Sequence, residues 1–318
     1  MRLLTFDGPT GAELGALDHD DRIVPLSRSG EASLVSMQAL IEGGDAALGR
    51  ARAIVAGGGE TLDPGAIRWL APLPRPAQMR DFLVFEDHMR MAGWRGAQLR
   101  ATWGAPPAPP EPMPIPPIWY EQPIYYKCNR FAVAGPDSTV QWPPQSRVID
   151  YELEIACVIG AAGRDIPVDQ AAAHIFGYTI FNDLTARDLQ FREMQGPLGP
   201  AKGKDFDGAN VLGPVIVTAD EIGDLADLAM RARVNGELWS EGRVGTMHWS
   251  FAQIIAYVSA SETLHPGEVL GSGTVGGGCG LELGRFLKHD DVIELEIEGI
   301  GRIATRIDAP HVTRGPTL

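Results

Sequence analysis

The stretch YELEIACVIG, residues 151–160, sets Glu152 and Glu154 into an otherwise apolar run. Tyr151, Leu153, Ile155, Cys157 and Ile159 supply one face of a strand. Ala156 and Val158 make the other face apolar too, the pattern of a strand buried on both sides. Side chains alternate along a strand, so both carboxylates leave the same face about 7 Å apart. Two like charges buried together are costly unless a pair of basic side chains or a bound cation neutralises them. A further acid, Asp183, ends another apolar strand in FGYTIFNDLTARDLQ, where the strand gives way to a helix. Arg187 and Gln190 follow four and seven residues later and share a face if LTARDLQ is helical. Asp188, between them, reads as a solvated partner for a nearby base. Asp81 precedes His88 by seven residues in RDFLVFEDH, nearly two helical turns, so a helix there would turn both to one side. By itself that histidine reads as structural.

The elements needed to position these residues change character along the chain. RLLTF, AELGALD and the segment after DHDDR read as strands, and MQALIEGGDAALGRARAIVA as a helix ended by Gly57–Gly59. These form a small α/β unit, residues 1–74, with a boundary near Pro74. DFLVFEDHMRMAGWRGAQL has helical character, and the proline density of residues 105–117 precludes a helix and favours an extended connector. From about residue 124 strands dominate: VIDYELEIACVI, FGYTIFND, VLGPVIVTAD, MRARVNGELWS, EVLGSGTV and DVIELEIEGIGRIATRID. The Asn-Gly of VNGE suits a hairpin turn. Helical pieces fall at PVDQAAAHI, LTARDLQFREM and MHWSFAQIIAYVSA. The fold class is α+β, β-rich, with a rolled or barrel-like catalytic domain over residues 75–318.

Composition narrows the partners. With 27 basic and 41 acidic side chains the net charge is −14, which argues against a nucleic-acid surface or a polybasic membrane patch. Cys128, Cys157 and Cys279 are widely spaced, with no CxxC, and indicate neither a disulfide framework nor a zinc site. No run approaches a membrane span and no secretory leader is visible, so a cytoplasmic protein is expected.

The motifs DYELEIACVIG, FGYTIFNDLTARDLQ, KGKDFDGANVLGP, VNGEL and LHPGEVLGSGT, in this order, resemble the fumarylacetoacetate hydrolase family across residues 75–310. The first seventy-odd residues are similar to the small first domain of its longer members. The resemblance implies that Glu152, Glu154 and Asp183, with Asp81 as a fourth carboxylate, hold one divalent cation. All-oxygen ligation suits Mg2+ foremost, with Ca2+ or Mn2+ as alternatives. Lys204 matches a lysine near metal and substrate. Arg187, Gln190 and Tyr126 match substrate-binding residues, and Thr274 falls in the family's threonine turn. His88 matches the histidine that activates water in the hydrolases, and Glu282 the acid that orients it. Lid-type members place a glutamate three residues after their histidine; here that position is Met91. The implied activity is hydrolysis of a carbon–carbon bond in a β-diketo acid or acylpyruvate-type substrate. Hydration, decarboxylation or isomerisation of 2-oxo acids on the same site is the alternative. The expected partners are a small keto acid and a second copy of the chain in a homodimer. The arginine expected after the histidine is either Arg95 or Arg100. The glycine-rich GSGTVGGGCG lacks the Lys-Ser/Thr of a phosphate loop and reads as a tight backbone wall.

Overall fold

The computed structural model describes residues 1–196 and 198–316. Strands β1 (Arg2–Gly8), β2 (Gly11–Leu17) and β3 (Ile23–Val24) form where the sequence predicts them. Two helices follow, α1 (Met37–Glu42) and α2 (Gly44–Gly57), in place of the one expected. The Gly43-Gly44 pair divides them, with Gly44 at a left-handed φ of 54° that ordinary residues avoid. Strand β4 (Trp69–Leu70) returns to pair with β1.

The helix expected over residues 81–99 is corrected. Its first residues belong to strand β5 (Met79–Phe82), and helix α3 (Glu86–Ala101) begins only after Phe85. Asp81 and His88 therefore stand on different elements, and their seven-residue spacing is not a shared helical face. Glu86 and Asp87 occupy the first turn of α3, where carboxylates complement the helix dipole. Gly104 and the prolines that follow prevent its continuation. The proline-rich segment carries no helix or strand up to α4 (Ile118–Glu121).

The strand-rich remainder comprises β6 (Tyr125–Lys127), β7 (Val133–Ala134), β8 (Ser138–Gln141), β9 (Ile149–Asp150), β10 (Leu153–Ile159) and β11 (Ile175–Asp183). PVDQAAAHI forms 3-10 turns rather than an α-helix. After β12 (Thr185–Ala186) come α5 (Arg187–Glu193), α6 (Ala201–Lys204) and β13 (Asn210–Thr218). The hairpin β14 (Ala229–Val234) to β15 (Glu237–Arg243) turns on Asn235 and Gly236, at φ 52° and 82°, as an Asn-Gly turn requires. Helix α7 (Phe251–Ser259), β16 (Val269–Gly271), α8 (Gly280–Leu283), β17 (Val292–Ile297) and β18 (Gly301–Asp308) complete the chain.

Eleven strands make one mixed sheet whose main path runs β3-β2-β1-β13-β11-β10-β16-β5-β6. A five-stranded sheet, β15-β14-β17-β18-β8, packs on one face of it. Between them lie Leu153, Ile155, Ile180, Met230, Leu295 and Ile303. On the other face Ala156, Val158, Phe181 and Ile216 pack with Leu40 and Ile41 of α1 and Ala47 and Ala51 of α2. Burying each large aliphatic side chain contributes about 1.5–3 kcal/mol, so β10, buried along its whole length, anchors both cores. Residues on either side of Pro74 share this sheet, because β1 pairs with β13. No helix among the described residues is long and apolar enough to cross a membrane.

Candidate active site

Glu154 lies within β10, whereas Glu152 precedes the strand and bridges to Cys279. The two carboxylates meet different company. Glu152 is held by bases. Its Oε2 accepts from Lys204 Nζ at 2.6 Å, and its Oε1 lies 2.7 Å from Arg187 Nη2. Burial alone would raise the Glu152 carboxyl, but Lys204 and Arg187 hold it well below the usual range. Among the described residues Glu154 has no basic partner: its Oε1 accepts from Thr274 Oγ1 at 3.3 Å, and its buried Oε2 accepts from none of them.

Three elements bring Glu154 together with Asp81 of β5 and Asp183 of β11. Strand β10 pairs with β11 and with β16, and β16 pairs with β5 in parallel register. One carboxylate oxygen from each acid lies within 4.8 Å of the other two. Burial, reinforced by the neighbouring acids, raises Glu154 well above the usual range. Burial pushes Asp81 up to about 6 and Asp183 up to about 8. Asp183 Oδ1 is a second buried oxygen without a donor among the described residues. Its Oδ2 accepts from Tyr126 Oη at 2.7 Å and from Lys204. Converging, unsatisfied oxygens of hard donors fit a divalent cation such as Mg2+, Ca2+ or Mn2+.

The glycine-rich turn after β16 forms the backbone wall beside these acids. A Cβ on Gly271 would come within 2.5 Å of Asp81 Oδ1. Gly273, at φ 80°, lies so close to Phe82 that a Cβ would meet its carbonyl oxygen at 2.2 Å. Its N–H donates to Asp81 Oδ1 at 3.0 Å.

The histidine and its acid also meet. His88, in the first turn of α3, has Nδ1 at 2.8 Å from Glu282 Oε2 on α8, both buried. Gly277 N donates to Glu282 Oε1 at 3.0 Å, and the Cys279 thiol donates to Oε2 at 3.3 Å. Burial disfavours the imidazolium, yet Glu282 beside it raises His88 above its ordinary value. Glu282 is correspondingly lowered, its burial outweighed by His88.

One cavity of about 470 Å3 is lined by Asp81, His88, Tyr126, Glu152, Glu154, Arg187, Gln190, Lys204 and Thr274. Asp183 and Glu282 lie buried behind this lining, in contact with Tyr126 and Lys204 and with His88 respectively. Of the two candidate arginines, Arg100 lines the cavity, while Arg95 turns to Gln98 at 2.9 Å and to the Trp94 ring. Asp188 ties down Ser146 Oγ and Arg147 N, outside the cavity.

Sequence reasoning missed Asp150. It is fully buried on β9 and accepts four hydrogen bonds. Tyr151 N and Gly280 N donate to Oδ1 at 2.9 and 2.7 Å. Arg187 Nε and Leu281 N donate to Oδ2 at 2.8 and 2.9 Å. One carboxylate thus positions both the arginine on Glu152 and the short helix that carries Glu282. The signal was present in VIDYELE, where an acid interrupts an apolar strand and must find donors.

The sequence profile described as "Fumarylacetoacetate (FAA) hydrolase C-terminal" matches residues 97–308. Oxaloacetate tautomerase FAHD2A, mitochondrial, from Homo sapiens is 31% identical over 314 residues, spanning 96% of this chain and 91% of that protein. Fumarylacetoacetate hydrolase from psychrophilic Exiguobacterium antarcticum is 27% identical, covers 97% and 99% of the two chains, and superposes with a TM-score of 0.72. Maleylpyruvate hydrolase from Sphingobium sp. SYK-6, 23% identical over 97% of this chain and 100% of its own, shares the fold with a TM-score of 0.73. The cytoplasmic expectation is overturned: the human relative and its counterparts from cattle and rat are named mitochondrial. Secretory and mitochondrial addresses are different signals, so a reading for the first does not report on the second. By profile, by relatives matched over nearly its whole length and by fold, the chain belongs to the fumarylacetoacetate hydrolase family.

Proposed function

We propose that this chain is a divalent-cation-dependent enzyme that moves a proton between carbon and oxygen of an enolisable 2-oxo acid. The observation that carries the reading is the convergence, on one cavity, of an unsatisfied carboxylate cluster and a buried His88–Glu282 pair. The full-length relatives named oxaloacetate tautomerases support it and make oxaloacetate the first compound to assay. Asp81, Glu154 and Asp183 would hold the cation, Mg2+ foremost, with Glu152 kept beside it by Lys204 and Arg187. A bound cation supplies Lewis-acid polarisation of the 2-oxo group. His88 is the base. Glu282 engages Nδ1, so Nε2 is the nitrogen that takes the proton from carbon and returns it to oxygen. Gln190 accepts from Arg187 through Oε1 at 3.1 Å, which leaves its amide N–H groups for substrate oxygens.

Carbon–carbon hydrolysis of a β-diketo acid or acylpyruvate is the second reading, favoured by the same His88–Glu282 pair, because activating water needs a base held by an acid. The test follows enol absorbance and product mass for oxaloacetate and acylpyruvates, with Mg2+ or Mn2+, in wild type and His88→Ala. The first reading expects an isomer of unchanged mass and a loss of about 10^2–10^4 in rate in the variant. Two fragments from an acylpyruvate in wild type alone would select hydrolysis. No turnover of either compound would sink both readings. Residues 1–74 are carried in this proposal as an accessory unit, and the protein as a homodimer. Exposed Trp103, Met113, Ile118 and Tyr120, in and beside the proline-rich segment, support association. Sedimentation as a monomer at micromolar concentration would exclude it.

A further inference from the structure

The cavity is larger and less polar than proton transfer on a small diacid requires. At about 470 Å3 it falls in the range of roughly 300–1,000 Å3 that holds ligands of drug size. Beyond the charged residues already described, its lining is largely apolar: Met89 and Ala92 of α3, Phe191 of α5, Met194 just after it, and Leu281 of α8. Met89 and Ala92 stand three residues apart on a helix, so they share the face that also presents His88. The wall is packed firmly. Helix α3 approaches α5 so closely that a Cβ on Gly96 would come within 2.7 Å of the Phe191 ring. Ala92 and Phe191 pack against a small hydrophobic cluster that includes Leu99, Val148 and Leu281. Oxaloacetate would occupy the polar groups and leave this wall in contact with water, at a cost in unsatisfied apolar surface.

We propose that the substrate carries an apolar substituent, an alkyl or aryl group, beyond its reacting 2-oxo acid head, and that Met89, Ala92, Phe191 and Leu281 hold it. The head-group assignment rests on the function proposed above; the apolar substituent rests on the wall. Each methylene moved from water onto such a wall tightens binding by about fourfold.

The test is calorimetric and needs no turnover. The Mg2+-loaded full chain is titrated with pyruvate, 2-oxobutyrate, 2-oxopentanoate, 2-oxohexanoate and phenylpyruvate. The expected result is a Kd that falls by about fourfold per methylene, with phenylpyruvate at least about 30-fold tighter than pyruvate. Ala92→Phe, which fills the chamber, should reduce the gain across the series to within about threefold, while the volume-conserving Met89→Leu retains it. A wild-type series flat within about twofold, or no binding by any member, overturns the proposal whether or not the variants fold. Graded binding without turnover of any 2-oxo acid would sink the proposed reaction and leave the apolar subsite standing. Oxaloacetate turnover with a flat series would do the reverse.

Discussion

Two glutamates separated by one leucine have opposite surroundings. Glu152 has a cation at each oxygen, Lys204 and Arg187, and is held as a carboxylate. Glu154 faces Asp81 and Asp183, and burial among acids drives it toward its neutral form. The alternatives posed by the sequence, basic side chains or a bound cation, are thus divided between the two residues. On one side the charges are balanced within the chain. On the other side the balance is left for a ligand, and such local imbalance at a cavity is a mark of a functional site.

The two glutamates differ most in what they contribute to stability. Glu152→Gln removes one partner of a buried network and leaves Lys204 and Arg187 short of negative charge, which should cost about 3–5 kcal/mol in denaturant unfolding. Glu154→Gln two residues on should have no such cost in the cation-free protein, since a neutral side chain replaces one already pushed toward neutrality. Equal destabilisation by both variants would erase the distinction. On binding the order reverses: Glu154→Gln should weaken Mg2+ by at least about 100-fold, the upper end of what loss of a supporting group costs.

The pH dependence sharpens the same contrast. Asp81 and Asp183, pushed up to about 6 and about 8, bind more protons folded than unfolded. Their sign is therefore opposite to that of a paired carboxylate. In the cation-free protein, stability falls as pH rises from about 4 through 8, because the folded state resists losing these protons. Under the proposed cation binding Mg2+ would compete with them, so its affinity should rise over the same interval, by about tenfold for each proton displaced per pH unit. Calorimetry in two buffers of different ionisation enthalpy would detect the released protons. A pH-independent Kd would mean that these acids are already ionised without the cation.

The His88–Glu282 pair adds a pH dependence of its own. Because Glu282 raises His88 above its ordinary value of 6.5, the neutral base forms only as pH rises through that elevated pKa. kcat/KM should therefore climb on the acidic limb at a pH above 6.5. Glu282→Gln should move that limb downward and lower the plateau, as the imidazole loses its orienting acid. The pair's contribution to stability is confined between the two pKa values. It is lost as pH rises through the elevated His88 value or falls through the depressed Glu282 value.

How much of this was legible in sequence depended on whether the cause was local. The burial of β10, the strand ending at Asp183 and the Asn-Gly hairpin follow from alternation and turn chemistry within a few residues, and all are found. The helix expected from Asp81 to His88 failed because β5 is made by pairing with β16, nearly two hundred residues later in the chain, which spacing cannot register. Asp150 was passed over for the same reason: three of its four donors, Arg187, Gly280 and Leu281, are distant in sequence. The division of the two glutamates was invisible as well. It depends on where α5 and α6 place Arg187 and Lys204, not on the strand that carries the acids.

Asp188 supplies the mildest test, because it adjoins Arg187 in sequence yet lies outside the network. Its carboxylate accepts from Ser146 Oγ at 2.6 Å and Arg147 N at 2.7 Å, fastening the loop before β9. Asp188→Ala should cost about 1 kcal/mol of stability, the scale of ordinary hydrogen bonds at a half-buried position, and leave kcat/KM and Mg2+ affinity as they are. Asp150→Asn, by contrast, disturbs an acid that holds both Arg187 and the Glu282 turn, and should lower kcat as well as stability. If Asp188→Ala matched Asp150→Asn in activity, the network would extend through α5 to the loop before β9, and proximity in sequence would have been the better guide to the site after all.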